Sequence, residues 1–215
     1  MKVAELLKPY NSLKDEDFDQ IYPSHVRQLS KLHFTEIEIA ILASEFLAAN
    51  PNQKILDIGC GVGKFCFVAG SHTDAHYTGV DYRKHFIDLC ETLTTQYTFK
   101  NVAFSHNDIV NVDFSLYHGF YFFNPFEEHA TKRLRLDHSI EVTPQKYVIY
   151  SNYVRAQFAL LPQGTRIATY YADINQIPEC YRLISTHKNG LLKCWEKTRI
   201  EKKARSFIIN KNQFR

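Results

Sequence analysis

Nine residues constrain this chain more than any others: Ile55-Leu56-Asp57-Ile58-Gly59-Cys60-Gly61-Val62-Gly63. The apolar run before the glycines reads as a short buried strand. Glycines at alternate positions let the chain turn tightly and let a ligand approach the backbone. In an α/β sheet such a loop places a ligand at the carboxyl end of a strand. Three ligand chemistries compete for it. A nucleotide P-loop needs Gly, four residues, then Gly-Lys-Ser/Thr. Here Ile58 stands at the first glycine position and Phe65 at the Ser/Thr position. A dinucleotide loop needs Gly-x-Gly-x-x-Gly. Its last glycine position falls on Lys64 or on Cys66, depending on where the count starts. The pattern that fits is Asp-x-Gly-x-Gly-x-Gly, with Asp57 two residues before Gly59.

The rest of the chain agrees with an α/β fold. Spacing predicts strands over 54–58, 76–81, 102–106, 119–123 and 165–171. Helices are predicted from Lys64 onward and over 84–96, 126–138 and 145–161. Alternating strands and helices imply a parallel sheet wound on both faces. Two strand-like runs, 181–186 and 191–198, flank Asn189-Gly190 and read as an antiparallel hairpin. The first 50 residues read helical, with Leu29, Leu32, Ile37, Ile41, Leu42 and Phe46 near helical spacing. The acidic run from Asp15 to Asp19 reads as a solvated helix start. We expect a helical cap over 1–50 and an α/β unit over 51–215, together one structural domain. A chain of 215 residues can bury a substantial core without disulfides or metals.

The glycine loop, the alternation and the terminal hairpin together resemble class I S-adenosylmethionine-dependent methyltransferases. The resemblance covers roughly residues 50 to 200; the polar and aromatic stretch 21–35 together with Phe123-Asn124-Pro125-Phe126 resembles small bacterial members of unassigned substrate. The resemblance implies a Rossmann-like, doubly wound seven-stranded sheet and S-adenosylmethionine as cofactor. It implies a cofactor site that includes Asp57, Gly59, Cys60, Gly61 and Gly63. Asp57 would suit the cationic amino group of the methionine part. Gly79-Val80-Asp81 ends the second strand with a carboxylate that could accept from both ribose hydroxyls, and Tyr82 would lie against the adenine. After the third strand, Asp108 would accept from the adenine amino group, and the backbone of Ile109 would read the ring edge.

The fourth strand runs into Phe123-Asn124-Pro125-Phe126-Glu127-Glu128-His129. This resembles the Asn-Pro-Pro-Tyr/Phe motif of amino-methylating enzymes, with one proline missing. The resemblance implies that Asn124, near the cofactor, and Phe126 line the methyl-transfer site. Glu127, Glu128 and His129 are candidates for substrate contact or proton removal. The alternative is a strand-to-helix turn, capped by Asn124 and rich in acids for dipole reasons. The N-terminal segment is dense in polar and aromatic groups. Tyr22, His25, Arg27 and Thr35 are its lid candidates, with Thr35 also placed toward the cofactor. An ordinary helix surface is the competing reading.

Charge and cysteines narrow the partners. The net charge is +3, far from a histone-like balance. Eight Lys/Arg and only two acids lie from Lys193 to Arg215, among them a strand-like Phe207-Ile208-Ile209. That tail reads either as a solvated edge strand or as a phosphate-tracking arm. The five cysteines include no Cys-x-x-Cys pair, so no disulfide framework or zinc knuckle is signalled. His72 and His76 lack a third ligand at metal-binding spacing, and no metal is expected. Glu5 and Lys8 interrupt any secretory signal, and no membrane span is visible. The expectation is a cytoplasmic methyltransferase acting on an unidentified nucleophile, with a small molecule favoured. A protein lysine, a nucleic acid, or a non-catalytic role as partner subunit are the alternatives. The oligomeric state is not legible.

Overall fold

A computed structural model describes residues 13–131 and 134–199. Seven strands form its centre: β1 (Lys54–Ile58), β2 (His76–Asp81), β3 (Val102–His106), β4 (Gly119–Phe122), β5 (Arg166–Tyr170), β6 (Tyr181–His187) and β7 (Leu192–Lys197). They lie in one sheet in the order β3-β2-β1-β4-β5-β7-β6. The first five strands are parallel, and β7 enters antiparallel between β5 and β6. The order reverses between β1 and β4, and the crevice above such a reversal is where open α/β sheets bind ligands. The hairpin turn falls where Asn-Gly predicts it: Lys188, Asn189 and Gly190 all have positive φ.

The longer helices are α1 (Ile37–Leu47), α2 (Lys64–His72), α3 (Lys84–Tyr97) and α4 (Pro144–Leu160). Strand side chains alternate between faces and build two cores. Ile55, Tyr121 and Ala168 join α1, α2 and α3 on one face. Leu56, Phe120, Phe122 and Ile167 join Val154 and Phe158 of α4 on the other. Much of the aromatic content is spent here. Phe65 stacks on Tyr121 with ring centroids 3.8 Å apart, and Phe120 meets Phe114 and Phe158 at 5.3 Å. Ala40 and Ala43 are fully buried on α1, small enough to bring that helix close to its neighbours.

The structure corrects several expectations. The N-terminal segment is not one helical run. Among the described residues before α1 it makes single turns, Asp15–Phe18, Asp19–Ile21, Ser24–Arg27 and Ser30–His33. Leu32 lies outside the core, 66% exposed. The acidic run is not simply solvated. Asp15 and Asp19 hold the buried Nζ of Lys64 at 2.6 and 2.7 Å, tying the cap to the first residue of α2. Of the helix expected over 126–138, the described residues keep one α-helical turn, Glu127–Ala130. Long-range pairing ends it: Glu128 and Asp137 both converge on Arg83, which bends the chain back. Lys197 of the basic tail is buried in an interior strand. Its Nζ donates to the Phe158 and Ala159 carbonyls at 3.2 and 2.6 Å, satisfying the end of α4. Phe207-Ile208-Ile209 lies outside the described residues.

Candidate functional site

The glycine loop follows β1 at the topological switch. Gly59, Gly61 and Gly63 all have positive φ. A Cβ on Gly59 would come within 2.4 Å of the Pro125 side chain, whereas a Cβ on Gly61 would meet nothing within 4 Å. The loop therefore packs tightly against the turn after β4 at one glycine and presents bare backbone to open space at the next. The amides of Gly59 and Cys60 both donate to the Val80 carbonyl, at 2.9 and 3.0 Å, which fixes the loop to β2.

Three carboxylates stand at the ends of β1, β2 and β3. Asp57 is 4% exposed, and burial pushes it up to about 8 even though the Cys66 thiol donates to it. Asp81 is also buried, which raises it, while the backbone N–H groups of Arg83 and Gly61 at 2.8 and 3.0 Å oppose that rise. Asp108 accepts from the Val110 amide at 3.1 Å and from the Tyr150 hydroxyl at 3.0 Å.

These groups open into two adjacent spaces. The larger is a cavity of about 1300 Å³ lined by Asp57, Gly59, Cys60, Gly61, Asp81 and Asn124 among others. Arg27, Thr35 and Glu127 also line it. Thr35 Oγ1 lies 3.1 Å from the Tyr121 hydroxyl, and Arg27 donates to Gln20. A smaller side pocket, about 60 Å³, collects Tyr82, Asp108, Ile109, Phe126 and His129. It shares Gly59, Asp81 and Pro125 with the larger one. Gly63 is held under the Phe104 ring and lines neither space. Tyr22 is buried in the core beside Phe18 and Phe34, and His25 is exposed; neither lines either space.

The turn after β4 divides its residues between the two spaces. Asn124 has φ of 36° and donates from Nδ2 to Glu127 Oε2 at 3.2 Å. Its Oδ1 is buried and has no partner among the described residues. Thr131 Oγ1 donates to the other oxygen of Glu127 at 2.8 Å. Phe126 packs on Phe122 and Tyr150. His129 is buried, which lowers its pKa, and its Nδ1 accepts from the Thr143 amide at 3.3 Å. Glu128 is bound to Arg83 by two hydrogen bonds of 2.9 and 2.6 Å, so it holds the turn after β4 against the end of β2.

Several residues that shape the site were not singled out in the sequence. Arg83, two residues past Asp81, looked like any residue at a helix start. Tyr150 was hidden inside a helix. Tyr170, Tyr171 and Asp173, which line the larger cavity beyond β5, carried the same signal as Asp57 and Asp81: polar or aromatic groups just past a strand's carboxyl end.

Residues 49–127 match a family model described as a methyltransferase domain. Among solved structures, TrmN from Thermus thermophilus is 16% identical with a TM-score of 0.55, covering 80% of this chain and 51% of that one. The Escherichia coli protein YhhF is 12% identical with a TM-score of 0.54, covering 78% and 88%. The bifunctional kinase-methyltransferase WbdD is 15% identical with a TM-score of 0.50, covering 85% and 41%. This chain thus spans about half of the TrmN chain. No curated protein matches the sequence. Among the described residues no helix is long and apolar enough to cross a membrane.

Proposed function

We propose that this chain, whose fold is that of the class I S-adenosylmethionine-dependent methyltransferases, binds S-adenosylmethionine over β1 to β3 and catalyses methyl transfer to an acceptor held beyond β4. One observation carries the reading: a buried carboxylate, Asp81, held by two backbone amides beside the open backbone of Gly61. That arrangement suits a ribose diol, and it needs no helix N-terminus kept clear for a pyrophosphate.

The residues present fit the group. Asp81 would accept from the ribose hydroxyls and Asp57 from the ammonium of the methionine part. Asp108, Ile109, Tyr82 and Phe126 would take the adenine; for that the side pocket has to widen, and Tyr82 at its edge is 52% exposed. The cofactor supplies a methyl group on sulfonium sulfur. The protein's part is to align the acceptor and exclude water. The unpartnered Oδ1 of Asn124 would accept a hydrogen from the acceptor atom. Glu127, hydrogen-bonded to Asn124, would take up a proton where the acceptor carries one at working pH.

A small-molecule acceptor is favoured, since the cap segment and the ends of β4 and β5 line one common cavity of about 1300 Å³. The test is incubation of the purified chain with methyl-labelled S-adenosylmethionine and cell extract separated into small molecules, protein and nucleic acid. Label is expected in the small-molecule fraction. Label confined to nucleic acid, or none anywhere, would contradict the reading.

The pH dependence of binding follows from Asp57. Before binding it is protonated below about pH 8. An ammonium partner favours its ionised form. Binding of S-adenosylhomocysteine at pH 7 should then release a proton. Affinity should climb between pH 6 and 8, by up to about tenfold per unit for one linked proton, and fall again at higher pH as the ligand's own ammonium deprotonates. Calorimetry in buffers of different ionisation enthalpy measures the release directly. In the free protein the sign is opposite: a raised carboxylate pKa means that stability falls as pH rises from about 4 to 8. Asp57→Asn should therefore remove this loss of stability and the proton release together.

A further inference from the structure

The part of the larger cavity above β4 and β5 has a chemistry of its own. Phe123, at the end of β4, packs against Tyr170 and Tyr171 at the end of β5, with ring centroids 4.8 and 6.0 Å away. The two tyrosine rings meet edge to face at 4.7 Å. Tyr147 of α4 adds a fourth ring to the lining. Three carboxylates share this lining: Glu36, Glu127 and Asp173. Glu36 accepts from the Tyr170 hydroxyl at 3.5 Å. After burial, Glu127 and Asp173 together raise the Tyr147 phenol, which sets both acids around one ring.

Among the described residues, the cavity's cations stand elsewhere. Arg27 and Lys31 belong to the cap segment. Lys64 follows β1 and is held by Asp15 and Asp19; Arg83 follows β2 and is held by Glu128 and Asp137. The β4–β5 end therefore offers aromatic faces and carboxylates together with the unpartnered Asn124 Oδ1, all three attractive to a cationic hydrogen-bond donor. Phosphate would find no cationic partner at this end. A neutral base would not balance the charge of Glu127 and Asp173; Glu36 has Lys188, the partner of Glu38, nearby. The chain also accepts two unfavourable backbone conformations here. Asn124 and Tyr171, one after β4 and one after β5, both have positive φ, which is rare for an aromatic residue.

We infer that this region is a subsite for a cationic alkylamine, held by the rings of Phe123, Tyr170 and Tyr171 and by Glu36, Glu127 and Asp173. The inference rests on the methyltransferase reading for its meaning, as the acceptor site, but not for its chemistry. The same alkylammonium group occurs on free amines and on lysine side chains.

The test uses the full chain and NMR titration with n-butylammonium, its neutral counterpart n-pentanol, adenosine, and a short blocked peptide containing one lysine. Butylammonium is expected to bind about tenfold more tightly than pentanol, the span of a partly desolvated cation–π contact. Asp173→Asn and Tyr171→Ala alter exposed side chains, so folding should survive. Asp173→Asn should weaken butylammonium several-fold and leave pentanol unchanged; Tyr171→Ala should weaken butylammonium more than it weakens pentanol. Equal binding of the amine and the alcohol, amine binding untouched by both variants, or displacement of the amine by adenosine would overturn the inference. A peptide that binds as tightly as the free amine points to a protein acceptor, and binding of the free amine alone points to a small molecule; both support the subsite. S-adenosylhomocysteine is titrated in parallel. If it fails while the amine still discriminates, the methyltransferase reading falls and the subsite stands. If it binds while the amine does not discriminate, the reverse holds.

Discussion

Asp81→Ala should weaken S-adenosylhomocysteine binding by about 10² to 10⁴-fold, if two hydrogen bonds to a charged acceptor are lost at roughly 1.5–3 kcal/mol each. The same change acts on the free protein. The amides of Gly61 and Arg83 both end on this carboxylate, so its removal leaves two backbone donors unmet and loosens the glycine loop. Asp81→Asn separates the two effects. Its amide oxygen can still accept one of the backbone donors, but it offers a ribose diol one neutral acceptor instead of a charged pair. The loop should survive in Asp81→Asn while affinity still falls by at least about tenfold, the span of one charge-assisted bond. Affinity within threefold of wild type in both variants would mean that the carboxylate only shapes the loop.

The second large effect is on stability. Arg83 and Glu128 are among the most buried charged side chains of the site, at 3% and 6% exposure. Burial opposes the charge of Arg83, and the contact with Glu128 overrides it. Glu128→Ala leaves a buried guanidinium with Asp137 and the more distant charge of Asp81, and breaking such a pair costs about 3–5 kcal/mol. For a chain of this size that is a fall in melting temperature of roughly 10 °C. Arg83→Met with Glu128→Leu removes both charges and should recover most of the loss, since a buried pair replaced by apolar groups is often neutral. A Glu128→Ala loss below about 1 kcal/mol by urea denaturation would show that water or Asp137 compensates the guanidinium. Asp137 itself resists acid. Partial burial would raise it, but the Ser139 hydroxyl and amide and the Arg83 guanidinium hold it down to about 2. Its share of stability is full above about pH 4 and disappears only as pH falls toward 2.

The parts legible in the sequence were those written in short-range pattern. The glycine loop, the alternation of strand and helix, the Asn-Gly hairpin and the carboxylates at three strand ends each lie within a few consecutive residues. What the sequence hid was pairing at long range. Nothing local to Lys64 says that Asp15 and Asp19 will bury it, 49 residues away in the first case. Nothing near Glu127–Ala130 says that the helix must stop so that Glu128 and Asp137 can reach Arg83, 45 and 54 residues back. Lys197 read as a solvated tail lysine because its acceptors are carbonyls at the end of α4, which no side-chain pattern reveals. The aromatic and acidic wall above β4 and β5 was visible in principle. No glycine marks the end of β5, so no local motif singles those residues out.

The central claim is that the space over β1 to β3 takes the adenosyl group of S-adenosylmethionine rather than a dinucleotide. Calorimetric titration of the full chain, freed of carried-over ligand, with S-adenosylhomocysteine and with NAD tests it most directly. The account predicts micromolar binding of S-adenosylhomocysteine, proton release at pH 7, and no heat with NAD. Binding of NAD with none of S-adenosylhomocysteine would contradict it.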